Sequence, residues 1–295
     1  MCRPVPLVTV NPGELVRLRD SGKMPMDYRD TANTIVMRRN MQMINEAVAS
    51  IDIGLDIPGA RRMGNVAPNV LHLGDYAVNT AHNSLYRVFN GDFNHGGRFY
   101  GLWVQGLKIK EQEHRQMITI NGSPTVEEDH SQIHPRMVYG LAEKSKDGDA
   151  YDISGWDRDL CKRAFNILLN AGNYLKALGA VANEIGLAIG MGADKGCYNG
   201  DCRNRAAVLI EAIKARHQPI AGYFHSGIGV VLQNRDARMA EYTMMELLDP
   251  SFTKKVATTH PMMLAAPITS GKVIMVSWAA PEKNAAANNI VATTV

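Results

Sequence analysis

Apolar and polar positions alternate along this chain in several distinct ways. Between Thr31 and Ile51, the residues Ile35, Met41, Ile44 and Val48 fall on a helical period and predict an amphipathic helix. Its Arg38–Arg39 pair reads as a solvated face. The following IDIGLDIPGARRMGNVAP is punctuated by Gly and Pro and reads as loop. A new pattern begins near Met117, where Met117, Ile118, Ile120 and Val126 flank NGSP, a turn signal between two short strands. Asp129 then falls at the end of the second strand. Ser131 reads as an N-cap, Pro135 suits a first helical turn, and RMVYGLAEK continues as helix.

SGWD gives Ser154 and Asp157 the spacing of a capping box, and RDLCKRAFNILLNAGNYLKALGAVANEIG reads as one helix behind it. Leu160, Ala164, Ile167, Leu168 and Ala171 form its apolar stripe. Arg158, Lys162, Asn166 and Asn170 recur every fourth residue along another side. Asparagine does not favour helix, so such a row makes sense where that side looks into a polar cleft. MGADKGCYNGDCRN reads as a Gly-rich loop, RAAVLIEAIKARH and QNRDARMAEYTMMELL as two more amphipathic helices, and the segment beyond Pro281 as a tail.

Bulk properties change this picture little. The 295 residues are 45% hydrophobic and 21% charged, which is ordinary for a globular protein. A net charge of +3 permits a polyanionic partner without demanding one. No apolar run is long enough to span a membrane, so no membrane partner is expected. Four cysteines are too few for a disulfide scaffold, which favours a reducing cytosol and free thiols at Cys197 and Cys202.

The densest chemistry lies in TVEEDHSQIHPRMVYG. A carboxylate at a strand end, here Asp129, can hold a hard divalent cation such as Mg²⁺ or Mn²⁺. A helix presenting Arg158 and Lys162 one turn apart can clamp a polyphosphate. Together they form the core of a nucleotidyl-transfer site, in which the metal activates a hydroxyl and the cations neutralise the leaving pyrophosphate. The bland alternative is that Asp129 caps a helix or pairs with Arg136 while Arg158 and Lys162 are solvated. His130 and His134 have a zinc-compatible spacing to which His114 could add, although Pro135 beside His134 disfavours it. Phe99, Tyr100 and Trp103 could stack bases or could be core.

These residues also carry a resemblance. VEEDHSQIHPRMVYG resembles the first palm motif of the superfamily that joins family A DNA polymerases with phage-type single-subunit RNA polymerases. By carry-over Asp129 is the metal-binding Asp, with Ser131, Ile133 and His134 in the downstream slots. RDLCKRAFNILLNAG is similar to the fingers-helix motif, with Arg158 and Lys162 as its triphosphate-binding pair and Asn170 where the family has Tyr. DFNHGGRFYGLW resembles a template-side element of the RNA polymerases, matched at Gly97, Arg98 and Tyr100. The stretch from Tyr86 to Glu241 also resembles small proteins of phages and plasmids.

The resemblance implies an α+β fold: a right-hand, polymerase-like palm sheet with inserted helical fingers and an N-terminal mostly helical region. The implied divisions are residues 1–105, 106–278 and a tail from 279. The implied partners are nucleic acid and nucleoside triphosphates, in the cytoplasm of a bacterial or phage-infected cell. The family's second palm carboxylate has no counterpart: VATTHPMMLAAP carries His260 followed by Pro261, and Asp236 is the substitute for a second metal ligand. The alternative to an enzyme is a protein of the same scaffold that only binds nucleic acid, through Arg98 and Tyr100, or nucleotides.

Overall fold

A computed structural model describes residues 7–57, 61–63, 67–73, 76–107, 116–125, 131–189, 200–249, 262–269 and 272–278. The class is α+β. The chain divides into two compact units, one made of residues 1–130 and 233–295 and the other of residues 131–232. The division falls near 130 and 232.

The first unit opens with β1 (Leu7–Val8), β2 (Val16–Arg19) and β3 (Tyr28–Arg29), followed by helix α1 (Ala32–Ala49). Thr31 caps α1: its hydroxyl accepts from the Thr34 N–H at 3.1 Å, and the Thr34 hydroxyl accepts from the Thr31 N–H at 2.8 Å. This is a capping box with Thr in the place usually held by Glu. Met37, Met41, Ile44 and Val48 face inward, each side chain stabilising the fold by about 1.5–3 kcal/mol. Ile35, expected on that face, is exposed. Arg38 is not solvated as expected. It donates to Glu14, Asp30 and the Tyr28 hydroxyl, each at 3.0 Å.

Strands then dominate: β4 (Ile53–Leu55), β5 (Arg61–Met63), β6 (Ala67–Leu73), β7 (Tyr76–Asn79), β8 (Asn83–Asn90), β9 (Asp92–Leu102), β10 (Ile118–Ile120) and β11 (Ser123–Pro124). Two expectations are corrected here. The segment after Ile51 holds strands where loop was expected. Among the described residues α1 is also the sole α-helix before residue 105, so the region is not mostly helical. The physical reason is a period of two, with Leu85, Arg87 and Phe89 all buried on one face of β8. An arginine in that row disguises the alternation.

β2 pairs with β8 in parallel, and β8 pairs with β9 antiparallel. Register shifts at Gly97, which lies between the pairs Val88–Arg98 and Phe89–Gly96, so one extra residue bulges from β9. β10 and β11 form the expected hairpin around Asn121 and Gly122, both at positive φ.

The second unit holds α2 (Ile133–Leu141), α3 (Arg158–Asn170), α4 (Tyr174–Ala188) and α5 (Gly200–Arg216). The single long helix expected from Arg158 is two helices. Asn173 restarts the chain by accepting from the Lys176 N–H at 2.9 Å. Val138, Leu160, Ala164, Phe165, Leu168, Val181, Ile185, Leu209 and Ile213 pack as its core. Cys161 is a buried free thiol, whereas Cys202 is disulfide-bonded, against the expectation of a free thiol there. Helix α6 (Gly229–Leu248) and the hairpin β12 (Met262–Thr269) and β13 (Lys272–Trp278) complete the chain. None of these helices is long and apolar enough to cross a membrane.

Candidate nucleic-acid interface

Asp129, His130, Cys197 and His260 lie outside the described residues, so the centre of the expected metal site is not located. Of the remaining residues of that reading, Ser131, His134, Arg158, Lys162 and Asn170 belong to the second unit and Asp236 to the first. Ser131 is exposed and does not cap α2. The cap position is Gln132, in the left-handed region at φ 61° and without a side-chain cap bond. The Ser131 carbonyl instead accepts from Arg136 Nε at 3.0 Å. His134 sits half-buried in the first turn of α2.

Asp157 caps α3 by accepting from the Leu160 N–H at 2.8 Å, and the polar row follows on the solvent side. Arg158 and Lys162 are exposed, Asn166 is half-buried and Asn170 is exposed. Arg158 Nε donates to Asp149 Oδ2 at 2.6 Å, and this contact raises the guanidinium pKa. The neighbouring Ala150 N–H donates to Gln132 Oε1 at 2.7 Å. The segment Asp149–Ala150 thus ties the turn before α2 to the start of α3. Asn170 Nδ2 donates to the Asn166 carbonyl at 2.8 Å, and a Cβ at Gly229 would come within 2.2 Å of Asn170 Oδ1. Asn170 is therefore packed against backbone and is not free in a cleft.

Asp236 belongs to the first unit, where it is buried on α6 at 2% exposure. Among the described residues no group of three or more His, Cys, Asp or Glu is gathered that could hold a metal ion.

The sheet β2–β8–β9 gathers a different constellation. Its inner face carries Val16, Leu18, Leu85, Arg87, Phe89 and Phe99, all buried. Register places Arg17 beside Val88, Arg19 beside Asn90, Tyr86 beside Tyr100, and Val88 beside Arg98. The opposite face of these strands therefore presents Arg17, Arg19, Tyr86, Arg98 and Tyr100. Tyr86 and Tyr100 stack with ring centroids 6.0 Å apart, and the Arg17 guanidinium lies 3.4 Å over the Tyr86 ring. Tyr100 is 41% exposed, while Phe99 and Trp103 are core.

None of these three arginines makes an ion pair among the described residues. Arg17 donates to the carbonyls of Glu14 and Pro12, and burial lowers its pKa. Arg98 Nε has no hydrogen-bond partner. Glu14 acts on Arg17 through space, against the effect of burial.

The inner face holds this arrangement in place. Arg87 is fully buried between the rings of Phe89 and Phe99, with its guanidinium carbon 4.9 and 5.1 Å from their centroids. It donates to the Gly97 carbonyl at 2.8 Å and to Glu241 Oε2 at 2.5 Å. Asn40 donates to the other Glu241 oxygen at 2.9 Å. Asn234 donates to the Phe93 carbonyl at 3.2 Å. Gly97 is at φ 82°, and a Cβ there would lie 2.6 Å from Phe89 and 3.0 Å from Arg87. The bulge that sets Arg98 opposite Val88 is thus fixed from beneath.

Arg98 and Tyr100, singled out in the sequence, share this face with Arg17, Arg19 and Tyr86, which were not. The alternating pattern of VRLR was the available signal. No protein-family model matches the chain, and neither the curated proteins nor the solved structures yield a similar one.

Proposed function

We propose that this protein binds single-stranded nucleic acid across the outward face of the sheet β2–β8–β9. The observation that carries this reading is the set of three arginines, which make no ion pair among the described residues, interleaved with two stacked tyrosines. Guanidinium groups contact phosphates and release their counterions. Exposed aromatic rings accept unstacked bases, each worth about 1–3 kcal/mol and tolerant of sequence. The palm-like scaffold implied by the resemblance is compatible with this role and is part of the proposal.

The test is anisotropy of labelled single strands at low salt. Tyr100→Ala is expected to weaken binding by about 5–150-fold, the range that one stacked base supports. Affinity unchanged in both Tyr100→Ala and Arg98→Ala would overturn the reading.

A second reading, metal-dependent nucleotidyl transfer, is favoured by the exposed Arg158 and Lys162 on α3 and by the Gln132–Ala150 bond that ties the Ser131–His134 turn to them. In that reading Asp129, with Asp236 or another acid, would hold Mg²⁺ or Mn²⁺, and Lys162 would bind the triphosphate. Incubation with primed template or promoterless DNA, nucleotides and either metal tests it. Product that is lost in both Asp129→Ala and Lys162→Ala supports it. No product, or equal product from Asp129→Ala, removes it.

A further inference from the structure

Beside the arginine face, and sharing Arg17 and Tyr86 with it, lies an open cavity of about 550 Å³. Asn79, His82 and Ser84 also line it, and no Asp or Glu stands among its described lining residues. Small-ligand sites run from about 300 to 1,000 Å³, and this one falls within that range.

The polar groups of the lining are suited to donate. Arg17 is held in one orientation before any ligand arrives. Its Nε and Nη2 donate to the carbonyls of Glu14 and Pro12, and its guanidinium carbon lies 3.4 Å over the Tyr86 ring. Glu14, the carboxylate that acts on Arg17 through space, is already engaged: its Oε1 accepts from Arg38 Nε at 3.0 Å and from the Val16 N–H at 2.9 Å. Asn79 Oδ1 accepts from the Ala81 N–H at 3.0 Å, which leaves its Nδ2, and an amide nitrogen only donates. His82 and Ser84 are exposed, and an imidazole and a hydroxyl can each donate as well. Gly101 keeps the space open: at φ 120° a Cβ there would meet the Ser84 carbonyl at 2.2 Å and the Tyr86 ring at 3.2 Å. A pre-set guanidinium with three further donors and no acid matches an anion that offers several acceptor oxygens.

We infer that this cavity takes a phosphomonoester, either the terminal phosphate of a strand lying on the arginine face or that of a free nucleotide. A terminal phosphate carries a charge of about −1.5 to −2 and three acceptor oxygens. An internal phosphodiester has one charge and two such oxygens, so it uses this donor set less fully. Arg17 answers the charge, and Asn79 Nδ2, Ser84 Oγ and His82 donate to the remaining oxygens. This inference rests on the strand-binding reading for its strand-end source, and it adds a preference for chain ends to a face that otherwise meets any phosphate.

The experiment has two arms, both on the full chain. In the first, oligothymidine strands labelled at an internal base carry a 5′-phosphate, a 3′-phosphate or hydroxyls at both ends, and anisotropy compares them. The expected result is that one phosphorylated strand binds about 10–150-fold tighter than the hydroxyl-ended strand, the worth of one charge-assisted hydrogen bond. Asn79→Asp should erase this preference. The exposed side chain keeps an acceptor for the Ala81 N–H and exchanges its donor for a carboxylate oxygen. In the second arm, adenosine 5′-monophosphate and adenosine are titrated into both proteins by calorimetry.

A phosphate preference in the wild type that is lost in Asn79→Asp, while hydroxyl-ended strands still bind, supports the subsite. Equal affinity for phosphorylated and hydroxyl-ended strands overturns the subsite and leaves the face standing. A preference that survives in Asn79→Asp also overturns it, because the phosphate is then held elsewhere. Binding of adenosine 5′-monophosphate over adenosine, lost in Asn79→Asp and without strand binding, supports the subsite and removes the face. Binding of neither strand nor nucleotide removes both.

Discussion

Removing the carboxylate of Glu241 tests how the sheet is held. In Glu241→Ala the Arg87 guanidinium loses its counter-charge at 2.5 Å while remaining fully enclosed. Breaking a buried pair from one side costs about 3–5 kcal/mol, because the surviving charge has no solvent to turn to. The reverse change differs. In Arg87→Met the surviving Glu241 side chain is 12% exposed and keeps its bond from Asn40, so it can hydrate. Methionine also refills the slot between Phe89 and Phe99. The expected loss is about 1–3 kcal/mol, chiefly the bond to Gly97 and the ring contacts. Arg87→Met/Glu241→Leu should be no worse than Glu241→Ala, because no buried charge is left. Urea unfolding followed by circular dichroism reads this directly. At an m value of about 2 kcal/mol/M, a loss of about 4 kcal/mol lowers the midpoint by about 2 M. A Glu241→Ala midpoint equal to wild type, or to Arg87→Met, would refute the reasoning.

Gly101→Ala should be more disruptive than a surface alanine. It would place Cβ 2.2 Å from backbone at a φ of 120°, and we expect a loss above about 3 kcal/mol or failure to accumulate folded protein, read by thermal unfolding. Asp157→Ala removes the cap of α3 and should cost about 1 kcal/mol in the same assay, with Asp157→Asn nearly silent. His217 is buried, takes a hydrogen bond at Nδ1 from the Tyr139 hydroxyl at 3.0 Å and donates from Nε2 to the Ala150 carbonyl at 2.8 Å. Burial holds its pKa below the ordinary value. The unfolded chain therefore binds the proton more readily, so stability is whole above about pH 6.5 and falls as pH drops toward the depressed folded value. Urea midpoints at pH 7.5 and 5.5 should separate in wild type and converge in His217→Gln. Equal separation in both would exclude this histidine as the cause.

Local chemistry was the most legible part of the sequence. Asn121–Gly122 gave the hairpin, whereas the capping box read at Ser154 and Asp157 is not the cap that forms: Asp157 itself caps α3 by accepting from the Leu160 N–H. The break between α3 and α4 was hidden because the apolar period runs straight through Ala171–Asn173, and only the side chain of Asn173 restarts the helix. Arg87 misled for the opposite reason. An arginine reads as a solvent position, yet two rings, a carbonyl and Glu241, 154 residues away, make its burial tolerable. The arginine face was half visible. Arg98 and Tyr100 sit two apart on one strand. Arg17 and Arg19 reach them through a parallel pairing with β8 across some 70 residues, and no local pattern encodes that pairing.

The most direct measurement of the central claim is the salt dependence of single-strand binding in wild type, Arg98→Ala and Arg19→Ala/Arg98→Ala. Each lost phosphate contact should flatten the slope of log K against log salt by about 0.7, so the double variant should fall by about 1.4 while retaining its fold by circular dichroism. Parallel slopes in all three proteins would contradict the claim that this sheet face meets the phosphates.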